Sequence, residues 1–171
     1  MPDIMDTIYS RRSIRKYQEQ KVEKEKLELL LKAAMAAPSA SNNQPWEFVV
    51  LTNEDAMEKL RQGLEYGHYN APAAIIVCDN PKVGRAPKSE RFWVQDCSAA
   101  TENILIAAAG LGLGTVWIAA YPKPEVIELV SRVAALPENV TPLNVIYVGY
   151  PAEQKDPRTQ YEAGRVHWET Y

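Results

Sequence analysis

Histidine, cysteine and phenylalanine each occur only twice in this chain of 171 residues. His68 and His167 are too few for a metal centre built on imidazoles, so no metal is expected. Cys78 and Cys97 have neither the close spacing of a metal-binding pair nor the framework of a disulfide-stapled miniprotein. Reduced thiols in a cytoplasmic protein are therefore expected. No apolar run approaches the roughly 18 residues of a membrane-spanning helix, so no membrane partner is expected. Residues Met1 to Ser10 lack the charged flank, apolar stretch and cleavage site of a secretory leader. Gly-x-Ser-x-Gly, paired-histidine zinc motifs and Walker-type phosphate loops are absent too. With 22 acidic against 19 basic residues and no basic stripe, nucleic acid is not an expected partner. Repeats, low-complexity tracts and linkers are missing, which leaves one domain over residues 1–171.

What remains is an alternation of helical and strand patterns. Asp3 is placed to cap a short helix bearing Ile4 and Ile8. Leu27, Leu30, Leu31 and Ala34 recur at helical spacing until Pro38 and the polar stretch to Pro45. Trp46 to Leu51, Ala73 to Cys78, Thr115 to Ala119 and Leu143 to Val148 read as buried strands. Helices are predicted over Glu54 to Gln62, over Phe92 to Ala109, and from Pro124 through Val126, Ile127, Val130 and Val133. The Phe92–Ala109 segment is apolar on more than one face and should be central. Asn80 to Glu90 reads as a surface loop, and Tyr150 to Tyr171 is a polar tail with little to pack until Val166 and Trp168. Such a tail makes sense if it wraps another surface, such as a second subunit. The order implies layered α with β.

Gly110, Gly112 and Gly114 have the wrong spacing for a dinucleotide fingerprint and follow a helix instead of a strand. They read as a helix stop and a close approach to a strand. Arg11-Arg12-Ser13-Ile14-Arg15 is a plausible seat for one phosphate, with Arg11 and Arg15 on one side if the first helix continues; a solvated basic face is the alternative. Pro38-Ser39-Ala40-Ser41-Asn42-Asn43-Gln44-Pro45-Trp46 is rich in donors and acceptors, and reads either as a ligand loop or as an ordinary connection.

Together these segments resemble the nitroreductase family of flavin-dependent oxidoreductases. The arginine cluster resembles its N-terminal phosphate motif, and Pro38 to Trp46 its Pro-Ser-x-x-Asn-x-Gln-Pro-Trp loop. Gly112 to Ala119 resembles the strand beside the flavin ring, and Gly149 to Glu153 through Val166 to Trp168 the C-terminal segment. The resemblance implies an α+β fold with a central, mostly antiparallel sheet flanked by helices. It further implies a homodimer that exchanges a C-terminal arm and holds two FMN molecules at its interface. Arg11, Arg12, Ser13 and Arg15 would hold the FMN phosphate and part of the ring edge. Pro38, Ser39, Ser41 and Asn42 would reach the flavin from the partner subunit. Trp117, Ile118 and Ala119 would lie beside the ring, with the backbone N–H around Ala119 facing the nitrogen that accepts hydride. Arg158 would be a second cationic phosphate contact, whereas Gln160 stands where many relatives carry another cation.

The implied activity is reduction of a nitroaromatic, quinone or similar small-molecule acceptor by NAD(P)H, by ping-pong exchange through FMN. A flavin carries the hard chemistry, which agrees with the absence of an acid–base triad. Dehalogenation, dehydrogenation or flavin consumption on the same fold, or flavin binding without turnover, are the alternatives. The stretch from Gln62 to Arg91 leaves little room for a lid; Tyr66 and Tyr69 are its candidates for a substrate wall, with core packing the other reading.

Overall fold

The computed structural model describes residues 3–171. In chain order it contains α1 (Ile4–Ser10), α2 (Lys24–Met35), β1 (Trp46–Leu51), α3 (Glu54–Gly63), β2 (Ala73–Asp79), α4 (Trp93–Gly110), β3 (Gly114–Ala119), α5 (Pro124–Ala134) and β4 (Thr141–Gly149). Short 3₁₀ turns occupy Ala40–Asn42, Pro87–Phe92 and Ala163–Arg165, so the predicted loop after β2 ends in a turn of helix that buries Ser89. The strands form one antiparallel sheet in the order β1-β2-β4-β3, an α+β arrangement. No helix among the described residues is long and apolar enough to cross a membrane.

Helices cover both faces of the sheet. On one face, Met57 and Leu60 of α3 and Val130 of α5 pack on Ile76, Val145 and Tyr147. On the other, Leu30 and Ala34 of α2 and Cys97, Ala100, Ile104 and Ala108 of α4 pack with Ile75, Val77, Ile146 and Val148. Each aliphatic side chain buried this way contributes about 1.5–3 kcal/mol. All seven residues of β2 are buried, which is why it reads as a continuous apolar run without alternation. The two-sided apolarity of α4 has the same origin, since it lies between the sheet and α2. Cys97 is core, its Sγ 3.7 Å from the Cys78 carbonyl, and burial pushes the Cys78 thiol up to about 12.

The first helix does not continue through the arginine cluster. It stops at Ser10, Arg11 turns to ψ 120, and the chain runs extended to Arg15. Ser13 pairs in parallel with Thr115, and the Ile14 N–H donates to the Thr115 carbonyl at 2.8 Å. Backbone pairing to the open edge of β3 and burial of Ile14 hold this segment extended. A helix would forfeit both. The segment after it crosses the chain's end: the Gln18 N–H donates to the Tyr150 carbonyl and the Ala152 N–H to Lys16, both at 2.9 Å.

The glycine run serves as read. Gly112, with φ +73, turns the chain out of α4. Gly114 admits Ile14, because a Cβ there would lie 2.8 Å from the Ile14 Cβ and Cγ2. Gly114→Ala is expected to destabilise the fold by about 1–3 kcal/mol through overpacking. Urea unfolding of G114A against wild type checks this; an unchanged midpoint would show that Ile14 moves aside without cost.

Candidate functional site

The extended residues 11–15 and β3 lie side by side and lead from a cationic cavity to an aromatic one. The first, of ≈ 290 Å³, is lined by Arg11, Arg12, Gly114, Thr115, Glu153 and Lys155 among others. The second, of ≈ 300 Å³, is lined by Arg15, Tyr66, Tyr69, Val116, Trp117, Ile118, Ala119 and Lys123. At about 3.3 Å per extended residue, Arg12 and Arg15 stand roughly 10 Å apart along the groove. A larger cavity of ≈ 520 Å³ lies elsewhere, between α2 and β1, with mostly apolar walls from Val22, Leu27, Leu31 and Val50.

Residues distant in sequence assemble the cationic end. The Arg11 Nε lies 3.5 Å from Glu102 Oε1, and an Arg12 Nη1–H donates to the Asp156 carbonyl. Lys155 Nζ donates to the Ser13 carbonyl at 2.6 Å and sits 3.4 Å from Glu153 Oε1. The same Glu153 oxygen accepts the Arg15 N–H at 2.6 Å, and that bond holds the Glu153 carboxyl below its usual range against the opposing pull of burial. Three cations thus converge on a cavity whose one lining carboxylate is already engaged by Arg15 and Lys155. This is the chemistry of an anion seat. Lys155 was not singled out in the sequence; its only signal there was a basic residue in the tail just before Arg158. Arg158 itself is exposed outside the cavity lining, and its N–H donates to the Tyr9 carbonyl at 3.0 Å.

The aromatic end has different walls. Tyr69 packs edge-on against the buried Tyr147, ring centroids 6.2 Å apart, so it serves core and cavity together. Tyr66 is 63% exposed and belongs to the cavity. Ala119 at the end of β3 is exposed, next to the half-buried Trp117 and buried Ile118. Neither Arg15 nor Lys123 has an ion-pair partner among the described residues.

The loop from Pro38 to Pro45 does not join this groove within one chain. It feeds β1, at the opposite edge of the sheet from β3, three strand spacings or about 14 Å across. Ser41, Asn42 and Gln44 all have φ between 51 and 53, a left-handed conformation that costs non-glycine residues free energy. The loop is held there by its neighbours. Asp96 Oδ1 accepts the Ala40 N–H at 2.8 Å, Ser39 Oγ accepts Gln44 N–H at 3.0 Å, and Ser89 Oγ bonds Ser41 Oγ at 3.0 Å. Asn43, buried beneath, accepts the Ala86 N–H through Oδ1 and the Arg85 N–H through its carbonyl. Pro38, Ser41 and Asn42 are left exposed and Ser39 half-buried. Backbone strain of this kind persists only where surrounding contacts over-determine it, as Asp96, Ser39 and Ser89 do here.

The sequence profile described as the nitroreductase family matches residues 8–66 and 60–150. The chain belongs to the nitroreductase family. A protein of Archaeoglobus fulgidus, provisionally named NADH dehydrogenase/NAD(P)H nitroreductase, is 42% identical over the full length of both chains. A solved structure from Parabacteroides distasonis with the same provisional name superposes with a TM-score of 0.91 at 40% identity, covering 98% of each chain. A nitroreductase from Desulfovibrio desulfuricans, also provisionally named and solved in complex with FMN, gives a TM-score of 0.80 at 29% identity over 100% of this chain and 99% of its own.

Beneath the strained loop lie two buried carboxylates, Asp79 at the end of β2 and Asp96 in the first turn of α4, each with one oxygen unpartnered. Burial, reinforced by Glu90 and Asp96, raises Asp79 from 3.8 to about 6; burial also raises Asp96, opposed by the Ala40 N–H bond. A carboxyl whose value is higher in the folded chain makes folding take up a proton. Its contribution is fully present below about pH 4 and is lost as pH rises through 6. Asp79→Asn should therefore stabilise the protein at pH 8 relative to wild type, by about 1–2 kcal/mol after allowance for partial solvation, and by less at pH 5. Urea unfolding at both pH values tests this; an equal effect at both would assign the loss of stability to another group.

Proposed function

We propose that this chain is an FMN-dependent NAD(P)H oxidoreductase that reduces nitroaromatic, quinone or similar acceptors by ping-pong exchange. The observation that carries the reading is the groove along β3, cationic at one end and aromatic at the other. Its donor set fits a flavin mononucleotide: Arg11, Arg12 and Lys155 at the phosphate, and Arg15 with the edge of β3 at the ring. When bound, the flavin supplies the two-electron relay from NAD(P)H to the acceptor. The protein's part is to bind, orient and shield. Arg11, Arg12 and Lys155 neutralise phosphate charge, and the Ser13–Thr115 pairing keeps them in register with the ring end. The N–H groups near Ala119 and the cation of Arg15 are the donors for negative charge at the ring edge. Tyr66, Tyr69 and Trp117 provide apolar walls that exclude water.

The same reading makes the working unit a homodimer. After Arg158 the recorded tail hydrogen bonds are local, and Tyr161, Trp168 and Tyr171 are largely exposed, Trp168 at 82%. Cavities of ≈ 520 and ≈ 430 Å³ with mostly apolar walls lie along β1 and share Leu31 of α2, and that strand has one open edge. A second copy would cover both tail and edge, and would bring its Pro38, Ser39, Ser41 and Asn42 to this chain's groove.

Arg11→Ala and Lys155→Met should each weaken FMN binding by about one to two orders of magnitude, at roughly 1.5–3 kcal/mol per charged bond. Fluorescence titration with FMN reads this directly, and unchanged affinity in both variants would remove the phosphate from this cavity. Steady-state NAD(P)H oxidation with menadione as acceptor tests turnover; fully bound FMN without an acceptor-dependent rate would leave a flavin-binding protein instead of a reductase. Truncation after Thr159 should convert a dimer into a monomer in analytical ultracentrifugation and lower FMN affinity with it.

A further inference from the structure

The aromatic end of the groove adjoins a cavity of ≈ 380 Å³ between α3 and α5, whose charged lining residues are Glu65, Glu125, Arg132 and Lys123, with Tyr66 and Ala119 beside them. Tyr66, Ile118, Ala119 and Lys123 line both cavities, so the two lie next to each other along these residues. A void of about 150 Å³ takes one benzene ring, so the outer cavity has room for a small arene beside whatever fills the inner one.

Charge in this space is unbalanced at one point. The inner cavity has two cations, Arg15 and Lys123, and no acidic lining residue. In the outer one, Glu65 is engaged with the Tyr66 hydroxyl, which it holds above its usual range, and Arg132 Nη1 lies 3.7 Å from Glu128. Glu125 sits in the first turn of α5, where the N-terminal N–H groups favour a carboxylate. Arg15 already belongs to the ring edge in the reading above. Lys123 is left without an acidic partner among the described residues, on the boundary between the two cavities.

We infer that the acceptor is an anionic arene, whose carboxylate or equivalent substituent is held by Lys123 while its ring lies against Tyr66 and the end of β3. This rests on the flavin occupying the inner cavity. A neutral quinone or nitroarene gains only a weaker hydrogen bond from Lys123 than a carboxylate does, so the residue biases which acceptor is preferred and leaves the reductive chemistry untouched.

The test compares para-nitrobenzoate with its uncharged methyl ester, using the FMN-loaded protein and saturating NAD(P)H. Wild type should prefer the carboxylate in kcat/KM by about tenfold, a partly exposed charge contact. Lys123→Met should lose that preference through KM and leave the ester within about twofold, both compared at full FMN occupancy of each variant; Lys123→Arg should keep the preference. Equal losses on both acceptors, or no wild-type preference, would overturn the inference. Calorimetric titration of para-nitrobenzoate into the same proteins gives a second readout independent of turnover. If FMN binds but neither acceptor is reduced, the reductase reading fails, and the anion site still stands on binding that Lys123→Met abolishes or falls on its absence.

Discussion

The pairing of residues 13 and 14 with the edge of β3 is the contact on which the candidate site depends. The Ile14 N–H reaches the Thr115 carbonyl at 2.8 Å, and Ile14 enters the core over Gly114, where no Cβ obstructs it. One backbone pairing and one buried side chain therefore align two strands of chain, one carrying three arginines and the other the backbone of β3. The register between the two cavities follows from this alignment. Tyr17 reinforces it from the other side: its hydroxyl donates to the Ile14 carbonyl at 2.6 Å, while its backbone N–H and carbonyl are bonded by Asn70. The buried phenol is raised far above its ordinary value, chiefly by desolvation, so it is a fixed donor at this joint.

A second constraint acts at the far edge of the sheet. Three consecutive-region residues in left-handed backbone are held by Asp96, Asn43 and Ser89, which come from α4, the loop itself and the turn before α4. Those anchors are buried, and the residues they present are exposed. The division separates the stability of the loop from what it can touch. The buried Asp79 and Asp96 set this region in a pH-dependent environment, because their unpartnered oxygens favour the protonated acids.

Membership of the nitroreductase family and the groove's charge pattern meet in the proposed flavin chemistry. A protein that lends its reaction to a cofactor needs an anion seat, a flat wall and water exclusion. It has no need of a triad. The cations at the two ends differ in kind: Lys155, Arg11 and Arg12 at the first end are tied to carbonyls and carboxylates, whereas Arg15 and Lys123 at the second have no ion-pair partner among the described residues. In the proposed reading the first set meets the phosphate, Arg15 meets the ring edge, and Lys123 is left for the acceptor.

The elements and the family were legible along the chain. The apolar runs read as buried strands, which holds in full for β2, while β1 is covered only in part, with Glu47 exposed; the two-sided Ala-rich segment read as a central helix, and the Arg11–Arg15 and Pro38–Trp46 motifs carried the resemblance. These are local signals, set by side-chain period and backbone propensity. How distant segments meet is settled by long-range packing instead. Helical continuation through Arg15 looked open from local spacing, but β3 offered unpaired backbone and Gly114 offered room, and long-range pairing won. Lys155 was one polar tail residue among many until the crossing of residues 16–18 and 150–152 carried it to the Ser13 carbonyl. Lys123 acquired meaning only when α3 and α5 enclosed the space beside it. Proximity of this kind is a property of chain topology, and no spacing along the chain encodes it.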